Sequence, residues 1–358
     1  MQLEKKLDMP RAIYLLAAEQ IIDGQGSLEV INNLEKKAKL QGLHCLAYTI
    51  APLSTDWDAL LPSNAFRSGN GPLEALAQAY QHLQTHPLDV ITISGKDNLK
   101  TGYSRQQRHK LMEIYPGTSL PEAYTRLAND WCRIHQFDKT TFIKLRDSLF
   151  KNYYQTYAIT SNLLPEKKWF ELVTTLFRGV DCANPVMDYD GKVVVATAQA
   201  VAKLNLAQRL VEIKGISVQK TKSSGLAGLS EIAGYKHLQR AFLNTCQQAK
   251  INFIEQFKNH QAYLEVYTCF PVVPLAFLFA SGMAADSAAC EAIIKQYPLT
   301  FTGGMNLAKG PWNNPVLRAM ITLYKKFQQA DALLIGGIHG NGGLGEKQGF
   351  ALLGVESC

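Results

Sequence analysis

Several features that would assign this chain to a class at once are missing from it. No window of its 358 residues approaches the ~18 continuous apolar residues of a membrane span, and the most apolar stretch, Phe270–Met283, is broken by two prolines. The start, MQLEKKLDMPRAIYLL, sets acids beside its lysines and lacks a hydrophobic stretch followed by small-residue cleavage chemistry, so no export signal is read and the cytoplasm is the expected compartment. Seven cysteines stand at irregular spacings with no CxxC, which gives neither a disulfide framework nor a zinc site. Lys and Arg exceed Asp and Glu by only 37 to 30. The positive residues are scattered, RQQRHK at 105–110 being the densest run, so no nucleic-acid face is expected.

What remains is a chain 47% hydrophobic and 19% charged, enough to bury one or two cores. RAIYLLAA (11–18) reads as a buried strand, and SLEVINNLEKKAKLQG (27–42) as a helix with Ser27 as N-cap and Gly42 as C-cap. LHCLAYTIA (43–51) is strand-like. GPLEALAQAYQHLQTH (71–86) sets Leu73, Leu76, Ala77, Tyr80 and Leu83 on one helical face and leads into the strand DVITISG (89–95). Residues 101–180 are aromatic, charged and poor in glycine, a helical excursion. The strand GKVVVATAQAVAKL (191–204) ends it, and VEIKGISVQ (211–219) is a further strand. The rhythm resumes with a helix at 234–251, a strand at 262–270, a helix at 316–330 that Asn313 opens, and strands at 332–337 and 348–356. Strands alternating with amphipathic helices argue for a largely parallel, helix-covered sheet, in two halves of similar layout.

One segment looks like a substrate loop yet carries no histidine, cysteine or carboxylate: LTFTGGMNLAKGPWNNP (299–315). It follows LEVYTCFPVVPLAF (264–277) and precedes GIHGNGGLGEKQGFALL (337–353). In order and spacing these segments resemble three landmarks of the thiolase superfamily, most closely its thiolase-like acetyl-CoA acetyltransferase branch. The resemblance implies an α/β fold, a thiolase-like five-layer αβαβα sandwich of two similar halves. These would be an N-terminal half at 1–205, with a helical loop insertion at about 101–180, and a C-terminal half at 206–358. It also implies a homodimer that binds acyl-CoA or a related thioester as substrate, with no other cofactor and no metal.

The family's reactive groups can be carried over residue by residue. The turn and helix FRSGNGPLEAL (66–76) place Ser68 where a nucleophilic cysteine belongs. A serine hydroxyl needs a positioned base, and the alternative is that Ser68 only caps or lines the turn. His339 matches the second cysteine and suits acid–base work near neutral pH. The alternative is a loop histidine at a solvated turn. The backbone around Gly340 and Asn341, with the Ser68 amide, matches the pair that cradles a carbonyl oxygen. Tyr267 takes the position of a water-orienting asparagine or histidine, and Cys269 is a rival nucleophile or a buried inert thiol. The loop's usual glycine-histidine-proline is reduced to Gly310 and Pro311. Gly303 and Gly304 allow close backbone approach to a ligand, and Lys309 is placed to meet a phosphate or carboxylate.

Three readings follow from the resemblance. The first is a divergent acyl-CoA-binding protein, nominally an acyltransferase with a degenerate site. The second is a catalytically silent scaffold or partner subunit for another enzyme of lipid or polyketide metabolism. The third is a thioester hydrolase in which Ser68 attacks and His339 is the base.

Overall fold

The computed structural model describes residues 11–159, 161, 163–329 and 333–355. The first part of the chain runs β1 (Ile13–Ile22), β2 (Gln25–Gly26), α1 (Glu29–Leu40), β3 (Cys45–Ile50), β4 (Ala65–Phe66), α2 (Gly71–Thr85) and β5 (Val90–Asn98). It leaves the sheet through α3 (Arg105–Leu111), α4 (Leu120–Ile134) and α5 (Lys139–Ala158), and returns in β6 (Asp188–Thr197) and α6 (Ala198–Leu204). The second part runs β7 (Val211–Lys220), α7 (Leu229–Ile232), α8 (Lys236–Ala249), α9 (Phe253–Lys258), β8 (Ala262–Glu265), α10 (Val272–Ala280), α11 (Ser287–Gln296), α12 (Pro315–Phe327), β9 (Ile335–Gly342) and β10 (Lys347–Val355). Among the described residues no helix is long and apolar enough to cross a membrane.

The ten strands form one hydrogen-bonded sheet in the order β4-β3-β5-β6-β1-β7-β10-β9-β8, with β2 on β1. It contains the same arrangement twice. β3 pairs parallel with β5, which pairs antiparallel with β6, which pairs antiparallel with β1. β8, β9, β10 and β7 repeat that order and those directions. Among the described residues, Tyr14↔Glu212 and Leu15↔Val211 join the two sets, at β1 and β7. The parallel pairs need crossover helices, and α2 and α12 are the helices that precede β5 and β9. Each packs on strands of both sets, α2 on β5, β7 and β10, α12 on β1, β6 and β9, and the two touch each other. α1 and α6 cover one outer face and α8 and α9 the other, giving five layers, αβαβα.

A helix held between the two sets of strands keeps little surface toward solvent. Leu73, Leu76, Ala79 and Leu83 of α2 are fully buried, as are Leu317, Met320, Ile321 and Leu323 of α12; each large side chain contributes about 1.5–3 kcal/mol relative to exposure. The predicted single stripe on α2 is therefore too narrow. Ala75 and Ala79 are buried on the second face, while Ala77 and Tyr80 are only half-buried. The predicted strand 191–204 is half strand and half helix. Thr197 accepts a hydrogen bond from the Ala200 N–H and starts α6. Ser27 accepts from Glu29 N at 3.0 Å, one residue before the N-cap, Leu28, and Gly42 lies just past the end of α1 with φ 68°. Asn314, not Asn313, is the N-cap of α12, and Asn313 Nδ2 instead donates to the Ala51 carbonyl at 2.8 Å. β8 stops at Glu265, short of the predicted 270. Positions 330, 332 and 356 of the predicted elements, and residues 1–10, lie outside the described residues.

The duplication extends to one packing detail. Gly95 faces Gly191 across β5 and β6, and Gly340 faces Gly349 across β9 and β10. The asparagine that caps the opposite set's central helix rests on Gly95 in the first pair and on both glycines in the second. A Cβ on Gly95 would lie 1.8 Å from Asn314 Oδ1, and one on Gly340 or Gly349 would lie 2.6 Å from Asn70 Oδ1. Both asparagines are fully buried, and both Oδ1 atoms lack a hydrogen-bond partner. Gly340→Ala is expected to destabilise by about 1–3 kcal/mol through this contact and Leu73, measured as a shifted urea midpoint.

Candidate functional site

The turns at the ends of β8, β9, α2 and α12 meet at one small cavity of about 80 Å³, open to solvent on one side. Gly69 enters it just ahead of α2, and Asn313 and Pro315 enter at the start of α12. Tyr267, Cys269 and Phe270 follow β8. Met305, Gly310, Pro311 and Trp312 come from the 299–315 loop, and Asn341 and Gly343 from the end of β9. The excursion contributes Ile114, Leu120, Tyr124 and the segment Ala183–Pro185, and Trp57 closes one side. Two buried helices thus present their N-termini to the cavity, where partial positive charge favours an oxygen gaining negative charge. None of the lining residues is formally charged.

The side chains divide by the two faces of β9, because alternate residues of a strand point in opposite directions. The even positions look toward α2. A Cβ on Gly342 would lie 2.5 Å from Ser68 Oγ, and one on Gly340 would meet Asn70 and Leu73. Ser68 is 3% exposed, has a left-handed φ of 98°, and its Oγ accepts from Asn70 N at 3.3 Å. That backbone strain sits at the head of α2, where strain often marks a functional turn, but the Ser68 side chain does not line the cavity.

The odd positions look the other way. His339 Nδ1 accepts from Tyr267 N at 3.3 Å, so Nε2 carries the proton and donates to Gln348 Oε1 at 2.7 Å, with the ring against Phe277. Burial lowers its pKa to about 4, and both nitrogens are occupied. Ser68 and His339 are on opposite faces of β9, so the expected pairing does not form here. His339 lies inside a strand of the hairpin rather than in a solvated turn, because its neighbours Ile338 and Phe350 are core residues. Gly340 faces α2 and not the cavity. The same separation removes the geometric basis of the hydrolase reading.

Tyr267, at the position of a water-orienting asparagine or histidine, lines the cavity. Its hydroxyl rests on Gly69: a Cβ there would lie 1.8 Å from the Tyr267 oxygen, which is why this turn needs glycine. Asn341 also lines the cavity, and its side chain is held by hydrogen bonds. Nδ2 donates to Tyr124 Oη at 3.1 Å, Oδ1 accepts from Gln348 Nε2 at 2.6 Å, and Tyr124 Oη donates to the Gly343 carbonyl at 2.8 Å. Burial pushes the Tyr267 and Tyr124 phenols well above their ordinary range, and the Cys269 thiol up to about 12. All three are neutral at physiological pH, so Cys269 is a thiol and not a thiolate nucleophile.

Gly310 and Pro311 line the cavity, whereas Gly303 and Gly304 shape the loop behind it with φ of 83° and 75°. Lys309 is exposed and outside the lining. Tyr124, Trp57, Trp312 and the orienting Gln348 were not singled out from the sequence. Tyr124 reads there as one more apolar position of an amphipathic helix, and Gln348 as the polar start of a strand. Among the described residues no group of three His, Cys, Asp or Glu side chains is placed to hold a metal ion.

No family model matches the chain, and no curated protein matches it by sequence. Solved structures do match. A monomeric SCP2-thiolase like protein type 1 from Mycobacterium smegmatis aligns with TM-score 0.71 and 14% identity, over 98% of this chain and 79% of that one. The Ltp2-ChsH2(DUF35) aldolase aligns with TM-score 0.70 and 13% identity, over 97% and 98%. The acetyl-CoA acetyltransferase from Syntrophomonas wolfei aligns with TM-score 0.60 and 12% identity, over 97% and 99%. The fold of this chain is thiolase-like.

Proposed function

We propose that this thiolase-fold chain binds an acyl thioester such as acyl-CoA without forming a covalent adduct on Ser68. Acyl transfer is then its nominal chemistry, carried on a degenerate site. The observation that carries the reading is the lodging of the Tyr267 hydroxyl against Gly69, in an uncharged cavity at the N-termini of α2 and α12. A neutral phenol and two helix ends suit a carbonyl oxygen that gains charge, and they do not require a nucleophile.

Calorimetric titration with acetyl-CoA, paired with intact-mass measurement after incubation, tests this. Ser68→Ala is expected to keep the affinity within about two-fold, whereas Tyr267→Phe is expected to weaken it about ten-fold, the worth of one hydrogen bond of ~1.4 kcal/mol. An acyl adduct on Ser68 overturns the reading.

A second reading is favoured by the same pair of neutral phenols, Tyr267 and Tyr124. They can donate and recover a proton during carbon–carbon bond cleavage next to a thioester, and one structurally similar protein is the Ltp2-ChsH2(DUF35) aldolase. Release of an aldehyde or ketone from a 3-hydroxyacyl-CoA, absent in Tyr267→Phe, supports it. Mixing the chain with a DUF35-type protein and measuring the mass in solution tests the partner-subunit alternative, and the same measurement on the chain alone tests the homodimer.

A further inference from the structure

Behind the cavity wall lies a buried carboxylate that the proposed binding does not use. Glu265, the last residue of β8 and two positions before Tyr267, is 7% exposed. Its Oε2 accepts from Phe301 N at 2.8 Å and Thr302 N at 3.0 Å, and its Oε1 accepts from the Thr302 hydroxyl. Arg318, in the first turn of α12, holds the other end of the same loop, donating to the Lys309 carbonyl at 2.8 Å and the Ala308 carbonyl at 3.5 Å. Between these anchors residues 303–307 have no helix or strand, and they carry Met305 to the cavity ahead of Gly310, Pro311 and Trp312. A carboxyl group therefore holds N–H groups where the loop begins, and a cation holds C=O groups where it ends. Each side chain meets backbone groups of complementary polarity, and Glu265 in its ionised form also attracts Arg318.

We infer that Glu265 and Arg318 are a positioning pair that clamps residues 299–311 into the cavity wall, so that ligand affinity depends on two side chains the ligand does not touch. The identity of the ligand rests on the acyl-thioester reading; the clamp itself does not. A glutamine can keep the two N–H bonds through its carbonyl and donate its amide to the Thr302 hydroxyl, whereas an alanine leaves three donors without an acceptor.

The test is hydrogen exchange of the full-length chain, followed in peptides covering 299–311 and, as an internal reference, β9 and β10, together with calorimetric titration of acetyl-CoA. Glu265→Ala is expected to speed exchange of the loop at least about ten-fold with β9 and β10 unchanged, and to weaken acetyl-CoA at least about ten-fold. Glu265→Gln is expected to restore both. Arg318→Met is expected to loosen residues 308–311, and it decides the matter if Glu265→Ala does not fold. Loop exchange unchanged in Glu265→Ala and Arg318→Met overturns the clamp, as does equal damage by alanine and glutamine that spreads to β10. If wild-type protein binds no acetyl-CoA, the functional reading fails, while the exchange results still decide the clamp.

Discussion

Replacing Asp181 with alanine is expected to cost about 3–5 kcal/mol of folding stability, because it strands two arginines away from water. Asp181 is 4% exposed and Arg146 5%. Arg178 grips the Asp181 carboxylate with two nitrogens, Nε to Oδ2 at 2.9 Å and an Nη to Oδ1 at 2.8 Å, and its own backbone N–H adds a third bond at 2.8 Å. Arg146 lies 3.5 Å from Oδ2 and donates to the Leu176 carbonyl at 2.6 Å. Asp147 bridges the two arginines at 2.9 and 3.0 Å, but its side chain is 42% exposed. Two cations and two anions balance here; without Asp181 the positive excess has no buried counter-charge. The midpoint of urea unfolding measures the loss. Asp130→Ala is the control, since its partner Arg133 has a side chain 75% exposed and such a pair is worth less than about 1 kcal/mol. Equal midpoints for the two variants would refute the argument. The network ties α5 to the segment leading into Ala183–Pro185, so it also fixes one wall of the cavity.

The α/β class and most strand positions could be read from the chain because apolar runs there end at glycine or polar turns, as at Ile13–Ile22 and in the β9–β10 hairpin. Reading stopped where the pattern loses its period. Residues 191–204 are mostly valine and alanine with no clear period of two or about 3.6, and the capping role of Thr197 separates strand from helix. Phe270–Met283 is apolar on every side, so no stripe announces α10. At the site, the landmark segments were legible as segments and they do converge. What the sequence does not encode locally is which way each side chain points. His339 and Ser68 lie on opposite faces of β9, and that depends on strand parity and on how α2 seats against β9 and β10, contacts made across some 270 residues. The tyrosine at 124 comes from the excursion, where its phenol finds partners only once the hairpin has folded against it.

Two buried groups are expected to give the chain opposing pH dependences that hide one another. Burial raises Glu265 from its ordinary 4.5 to about 7, outweighing the Thr302 and Phe301 hydrogen bonds and the attraction of Arg318. The native state therefore holds that proton more tightly, and the associated stability, full below pH 4.5, is lost as pH rises through about 7. His339 is lowered from 6.5 to about 4 by burial. Its contribution is full above pH 6.5 and is lost as pH falls through about 4. Each separation corresponds to about 3 kcal/mol, and across the shared window the two slopes have opposite signs, so in the wild-type protein they largely cancel. Single variants separate them. Relative to wild type, Glu265→Gln should gain about 3 kcal/mol between pH 4.5 and 7, and His339→Asn should gain about as much as pH falls from 6.5 to 4. Hydrogen bonds lost in either variant shift its curve as a whole without changing that slope, so the comparison rests on slopes from urea unfolding at stepped pH. Curves that run parallel to wild type throughout would show that neither group is held away from its ordinary ionisation by the fold.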